Sequence, residues 1–433
     1  MPRDTILTGH VLSFDADPLR GPATGASDCA RLSEAVLIRD GRVAATGALA
    51  DLRARAPGAT LRRHDGHLIC AGFIDAHAHY PQTAIIASWG KRLIDWLNDY
   101  TFPEEMRLCD PEYAARIAER YFDLTLSHGT TTTVSFCTSH PASVDAFFTA
   151  ARARGLRAAA GKTCMDRNAP ADLCDSAQSA HDDSAALLAR WHGVDRLSYV
   201  ITPRFAPTSS AAQLDALGAL WAAHPDCLMQ THLSEQTEEI AWVKRLFPKA
   251  RDYLDVYESH GLLGERALFG HAIHLAPRET ARLAESGAAL VHCPTSNSFI
   301  GSGLFDIDQR LAEGQRIGLA TDTGGGSSFS MLRTMAAAYE IAQLTGTALH
   351  PAQLLWLATG AGAAALHMQG HIGNIAPGME ADIVILDLAS TPAIAQRHAR
   401  ADDIWEAIFP TIMMGDDRAI RAVLVAGEPV PSA

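Results

Sequence analysis

The segment Asp75-Ala76-His77-Ala78-His79 holds the residue types and spacing best suited to chemistry. It follows an apolar run, 67–74, that reads as a buried strand. Residues two apart on a strand point to the same face, so His77 and His79 would present two imidazoles side by side at the strand's end. Neutral imidazole is a ligand for zinc and for iron. A pair of histidines in a surface turn is the plainer reading, and the residues that end later strands argue against it.

The elements that must position these residues follow from the rest of the chain. Between about 68 and 371, apolar runs at 131–136, 197–203, 227–232, 267–271, 288–293 and 317–322 alternate with helical stretches. The helical stretches include 112–128, 211–223, 234–246, 277–286 and 330–344. Such alternation predicts an α/β fold, a parallel (β/α)8 TIM-like barrel, with catalytic groups at the C-terminal ends of its strands. No Gly-x-Gly-x-x-Gly turn favours a doubly wound sheet instead. The two ends of the chain carry short strands, and Asp40-Gly41 marks a tight hairpin. Neither end has enough strands alone, so one small β-sandwich built from both termini is expected. The expected domains are 1–67 and 372–433 for the sandwich and 68–371 for the barrel.

Several predicted barrel strands finish on a polar residue: His77 and His79, Arg204, His232, His271 and Asp322. Two histidines, a third histidine and a carboxylate from these strand ends can hold one divalent metal and leave room for water. Each has a plainer reading. His232 could be a hydrogen-bonded barrel histidine, Glu235 a first-turn acid behind a Ser234 cap, and Asp322 a cap before Gly324-Gly325-Gly326. That glycine run lacks the lysine of a phosphate loop. Jointly the pattern is hard to reach by packing, because buried ionisable groups are costly unless paired or ligating.

Composition narrows the classes. The chain has 433 residues, 48% hydrophobic, and a formal charge of −13 without a basic run, which argues against nucleic acid as a partner. The start lacks the order of a signal peptide, and no apolar stretch reaches the roughly 18–20 residues of a membrane span. Eight scattered cysteines without a Cys-x-x-Cys pair read as reduced thiols. A cytoplasmic protein acting on a small molecule is expected.

With these motifs the chain resembles the amidohydrolase superfamily: His-x-His after the first strand, histidines ending the fifth and sixth, and aspartate ending the eighth. The stretch 373–384 resembles that superfamily's return into its small β domain. Stretches 94–104 (Ile-Asp-Trp-Leu-Asn-Asp-Tyr-Thr-Phe-Pro-Glu), 161–166, 202–205, 231–235, 292–297 and 318–322 are similar to guanine deaminases. The resemblance implies zinc-dependent hydrolysis of guanine to xanthine and ammonia, as in purine catabolism, by a homodimer. Two-metal relatives carry a bridging anion near the end of strand four. Here 201–204 ends in Arg204, which implies one metal per subunit, zinc or iron, on His77, His79, His232 and Asp322. Glu235 would carry protons, Asp322 would also accept a hydrogen bond from the attacking water, and His271 would orient that water or serve as a further ligand. Gln82, Arg204 and Phe205 would meet the purine, alongside His79, His232, Glu235 and Asp322. Trp89 and Trp96 would close over the ring or pack in the core, and His274 has no assigned role. An aminohydrolase for 8-oxoguanine, a pterin or a triazine is the nearest rival. A cyclic amidase would need the second metal. A non-catalytic scaffold would have lost the ligands, all of which are present.

Overall fold

The computed structural model describes residues 4–89 and 92–430. Its main sheet is nine-stranded; eight strands follow one another in chain order, β1 (Phe73–His79), β2 (Thr130–Phe136), β3 (Arg157–Gly161), β4 (Leu197–Pro203), β5 (Leu228–Leu233), β6 (Ala267–His271), β7 (Ala289–His292) and β8 (Arg316–Leu319), and the short strand Thr163–Cys164 pairs with the end of β4. They form the nearly closed parallel barrel expected; β3 to β8 pair in parallel, each with the next. Beyond β8, Asp322 N donates to His77 O at 3.0 Å and His79 N to Thr323 O at 2.5 Å, joining the last strand's end to the first. The strands form because their runs are apolar and β-branched: β2 reads Thr-Thr-Thr-Thr-Val-Ser-Phe and every residue in it is buried.

The expected helices are present, at Pro111–Ser127, Ala211–Ala223, Thr237–Leu246, Pro277–Ser286 and Met331–Leu344. One boundary differs. The helix after β5 begins at Thr237, because Ser234 turns left-handed (φ 48°) and Glu239 accepts the amides of Glu235 and Gln236 at 3.0 and 3.1 Å. Ser234 is therefore no cap, and Glu235 stands outside the helix.

The apolar run 67–74 is two strands. It breaks at Gly72, where a Cβ would lie 2.1 Å from Thr131 Oγ1. The upstream part, Thr60–Ala71, belongs to a seven-stranded mixed sheet with Thr5–Phe14, Ala30–Arg39, Arg42–Gly47, Ile383–Leu386, Ile420–Val425 and Glu428–Pro429. Both termini thus build the small β domain. Alternation along its strands divides the apolar residues between two clusters: Leu7, Val36 and Ile38 join one, Ile6, Ala35 and Leu37 the other. Asp40 and Gly41 both take positive φ (50° and 74°), as a two-residue hairpin requires.

Among the described residues, contacts define two compact units. One holds those up to Asp75, Asp123–Thr132 and those from Phe329 on; the other holds Ala76–Phe122 and Thr133–Ser328. Every candidate site residue from His77 to Asp322 lies in the second. No described helix is long and apolar enough to cross a membrane.

Candidate active site

Strand ends bring the predicted residues together, and the backbone is bent to do so. His271 and Asp322 adopt φ of 66° and 50°, a region that non-glycine residues occupy at a cost of order 1–3 kcal/mol. At the centre, His79 Nε2 faces His232 Nε2 at 3.2 Å, while Asp322 Oδ1 lies 3.4 Å from His79 Nε2 and 3.5 Å from His77 Nε2. Donor atoms bound about 2.0–2.1 Å from one tetrahedral cation would stand about 3.3 Å apart. The three separations match that spacing, so these residues fit a divalent metal.

Protonation states fit it too. Burial pushes His79 and His232 well below the ordinary imidazole range, so both are neutral. His232 Nδ1 donates to Arg204 O at 2.7 Å, which leaves the Nε2 lone pair facing the cluster. Burial would raise the Asp322 carboxyl, but His77, His271 and His79 outweigh it and hold the group ionised. Phe136 walls the histidines, its ring 4.6–4.9 Å from those of His79, His232 and His77. Gly270 makes room, since a Cβ there would stand 2.7 Å from the His77 ring. Cys293 also groups with His77, His271 and Asp322, a neighbour that sequence reasoning missed.

His271 stands at the edge of this cluster. Its Nε2 lies 3.6 Å from Glu235 Oε2 and 3.7 Å from Asp322 Oδ2, and its Nδ1 meets Asn297 Oδ1 at 2.8 Å. Burial opposes its charged form, but Glu235, Asp322 and Asn297 together raise it above the ordinary range.

Across the pocket lies a second constellation. Arg204 sends Nη1 and Nη2 to the two oxygens of Glu105 at 2.6 and 3.1 Å, and Gln82 Nε2 donates to the same carboxylate at 2.9 Å. All three side chains are buried. Glu105 was missed from sequence, although it directly follows the Trp-Leu-x-x-Tyr-Thr-Phe-Pro-Glu stretch. The available signal was Arg204 itself: a buried guanidinium needs a carboxylate partner.

His79, His232, His271, Asp322 and Glu235 from the first group and Gln82 and Arg204 from the second line one pocket of ≈ 430 Å³, open mouth included, with Leu93, Trp96, Leu97, Phe205 and Ile300 as apolar wall. Phe205 packs in a cluster with Leu97, Phe102 and Met165. Trp96 is buried at the pocket wall, but Trp89 is 75% exposed and belongs neither to the lining nor to the core. His274 is outside the lining; its Nε2 meets Ser302 O at 2.8 Å.

A model of the amidohydrolase family matches residues 68–430. Guanine deaminase of Escherichia coli (strain K12) is 42% identical over 394 residues, covering 90% of both chains. This chain belongs to the amidohydrolase family, in its guanine deaminase branch. The structure of the E. coli guanine deaminase superposes with a TM-score of 0.96 over 99% of both chains at 39% identity. A guanine deaminase from C. acetobutylicum with guanine bound in its active site superposes with a TM-score of 0.89 at 27% identity, over 99% of this chain and 100% of that one. Amidohydrolases are metal-dependent, and this amidohydrolase carries a side-chain cluster suited to a metal at its strand ends.

Proposed function

We propose that the protein hydrolyses guanine to xanthine and ammonia, using one zinc ion per subunit held by His77, His79, His232 and Asp322. One observation supports the reading: His79, His232 and Asp322 of the metal-type cluster line the same pocket as Gln82 and Arg204, which Glu105 holds from behind. A zinc ion bound there would lower the pKa of water to near 7 and so supply a nucleophile at neutral pH.

The chain's own groups do the rest. Arg204 offers guanidinium N–H groups to the purine carbonyl oxygen. With its amide nitrogen given to Glu105, Gln82 keeps its carbonyl to accept a ring N–H. Phe205 supplies an apolar face to the ring. Glu235 takes a proton from the attacking water and passes it to a ring nitrogen, then helps protonate the amine that leaves from carbon 2 as ammonia. His271, held by Asn297, orients the water, and Asp322 accepts its hydrogen bond. Water and guanine together balance xanthine and ammonia. The reading includes a cytoplasmic setting, which eight free cysteines suit, and a homodimer, which rests on the resemblance.

The test is ammonia release and ultraviolet change by zinc-loaded protein with guanine, beside adenine, cytosine, 8-oxoguanine and a triazine. Guanine should be converted far faster than the others. A zinc-loaded protein that ignores guanine but turns over another ring would move the substrate.

A further inference from the structure

Ser302 carries no signal in the sequence, and it lies against Glu235. The residue is 5% exposed, and its Oγ donates to Glu235 Oε1 at 2.7 Å. The same Oγ accepts from Gln236 Nε2 at 3.2 Å. An amide NH2 can only donate, so the single hydroxyl proton of the serine is committed to the carboxylate.

The serine is itself fixed on both sides. Its backbone N–H donates to Asn297 O at 2.8 Å, and its carbonyl accepts from His274 Nε2 at 2.8 Å. His274 is anchored in turn, since its own N–H donates to Ser234 O at 3.0 Å, beside Glu235. Asn297 uses its side chain on His271. One short segment, from Asn297 in the helix Pro294–Phe299 to Ser302 in the turn after it, therefore touches both His271 and Glu235, while Glu239 fixes the Glu235 backbone at 3.0 Å.

We propose that Ser302 is a positioning residue that aims Glu235, with His274 holding Ser302 in place. This rests on the reading of Glu235 as the proton carrier. A glutamate side chain has three torsions and two equivalent oxygens. Bonding Oε1 to Ser302 stops that rotation and leaves Oε2, which stands 3.6 Å from His271 Nε2, as the oxygen free to exchange protons. Misplacing a catalytic group by about 1 Å can cost on the order of a hundredfold in rate, so a fixed carboxylate matters to turnover.

The experiment compares guanine kinetics, metal content and thermal melting for Ser302→Ala, Ser302→Thr, His274→Ala, Glu235→Gln and the double variant Ser302→Ala/Glu235→Gln. Ser302→Ala should lower kcat about tenfold or more, as loss of a hydrogen bond to a charged group does, with KM and metal content nearly unchanged. Ser302→Thr keeps the hydroxyl and should recover most of the rate, and His274→Ala should show a weaker form of the same loss. In the Glu235→Gln background, Ser302→Ala should cost nothing further, because the serine acts through the carboxylate. Wild-type kcat in Ser302→Ala, or a loss that multiplies with that of Glu235→Gln, would overturn the proposal while leaving Glu235 in its role. Wild-type turnover in Glu235→Gln would overturn the underlying assignment, and the proposal with it.

Discussion

On the histidine side of the pocket, ring nitrogens and a carboxylate face one another at 3.2–3.5 Å, with two imidazole nitrogens directly opposed. On the guanidinium side, Glu105 is saturated by Arg204 and Gln82 at 2.6–3.1 Å. The first group is spaced for a cation to complete it. The second is complete without help and presents a fixed pattern of donors and an acceptor. On the proposed function, chemistry and recognition are built by different means, and substitutions should separate them.

The sharpest break is on the chemical side. His79→Ala should lose bound metal and activity together, measured by metal analysis and ammonia release; activity in metal-free protein would defeat the site. Glu235→Gln should retain the metal yet lose about a hundredfold or more in kcat, the range of general acid–base catalysis.

Recognition should fail differently. Glu105→Ala would strand a buried Arg204, costing about 3–5 kcal/mol of stability, a penalty typical of breaking a buried ion pair. Melting should show that loss while metal content holds. Arg204→Ala should lower kcat/KM for guanine, reduce selectivity between purines and leave the metal in place. Loss of metal in the Arg204→Ala protein would mean that the two sides are not separable.

The smallest effect concerns His292, which stacks on Phe305 at 4.5 Å behind the site. Burial, with His271 nearby, lowers its pKa to about 3. The unfolded chain takes up that proton below about pH 6.5 and the folded chain only near pH 3, so stability falls as pH drops through this window. Between pH 6.5 and 5 the loss from this one group is roughly 2 kcal/mol. His292→Phe should therefore lose less melting temperature between pH 7 and pH 5 than the wild type; equal losses would remove His292 as a source of acid sensitivity.

The comparison also explains what could be read from the sequence. Barrel strands and their polar ends were legible because a buried strand obeys simple rules, and a histidine or aspartate that ends one stands out. His77, His79, His232 and Asp322 converge for that reason. Arg204 stood out as a polar strand end, but as purine contacts Gln82, Arg204 and Phe205 were named by resemblance alone, since such a role depends on which side chains meet across the pocket. Glu105 and Ser302 escaped because a glutamate in a short helix and a serine in a loop look ordinary until the fold buries them beside a guanidinium and a carboxylate. The strand over 67–74 was misread for a related reason. A continuous apolar run does not reveal that Gly72 divides it between two sheets; only the approach of Thr131 does.

The central claim is that the histidine side works only when a single metal completes it. The direct measurement is a titration of chelator-stripped protein with zinc, following bound metal per chain and guanine conversion to xanthine together. Activity should be absent without metal, rise in proportion to occupancy and saturate at one equivalent per chain. Turnover of guanine by the stripped protein, or saturation only at two equivalents, would contradict the account.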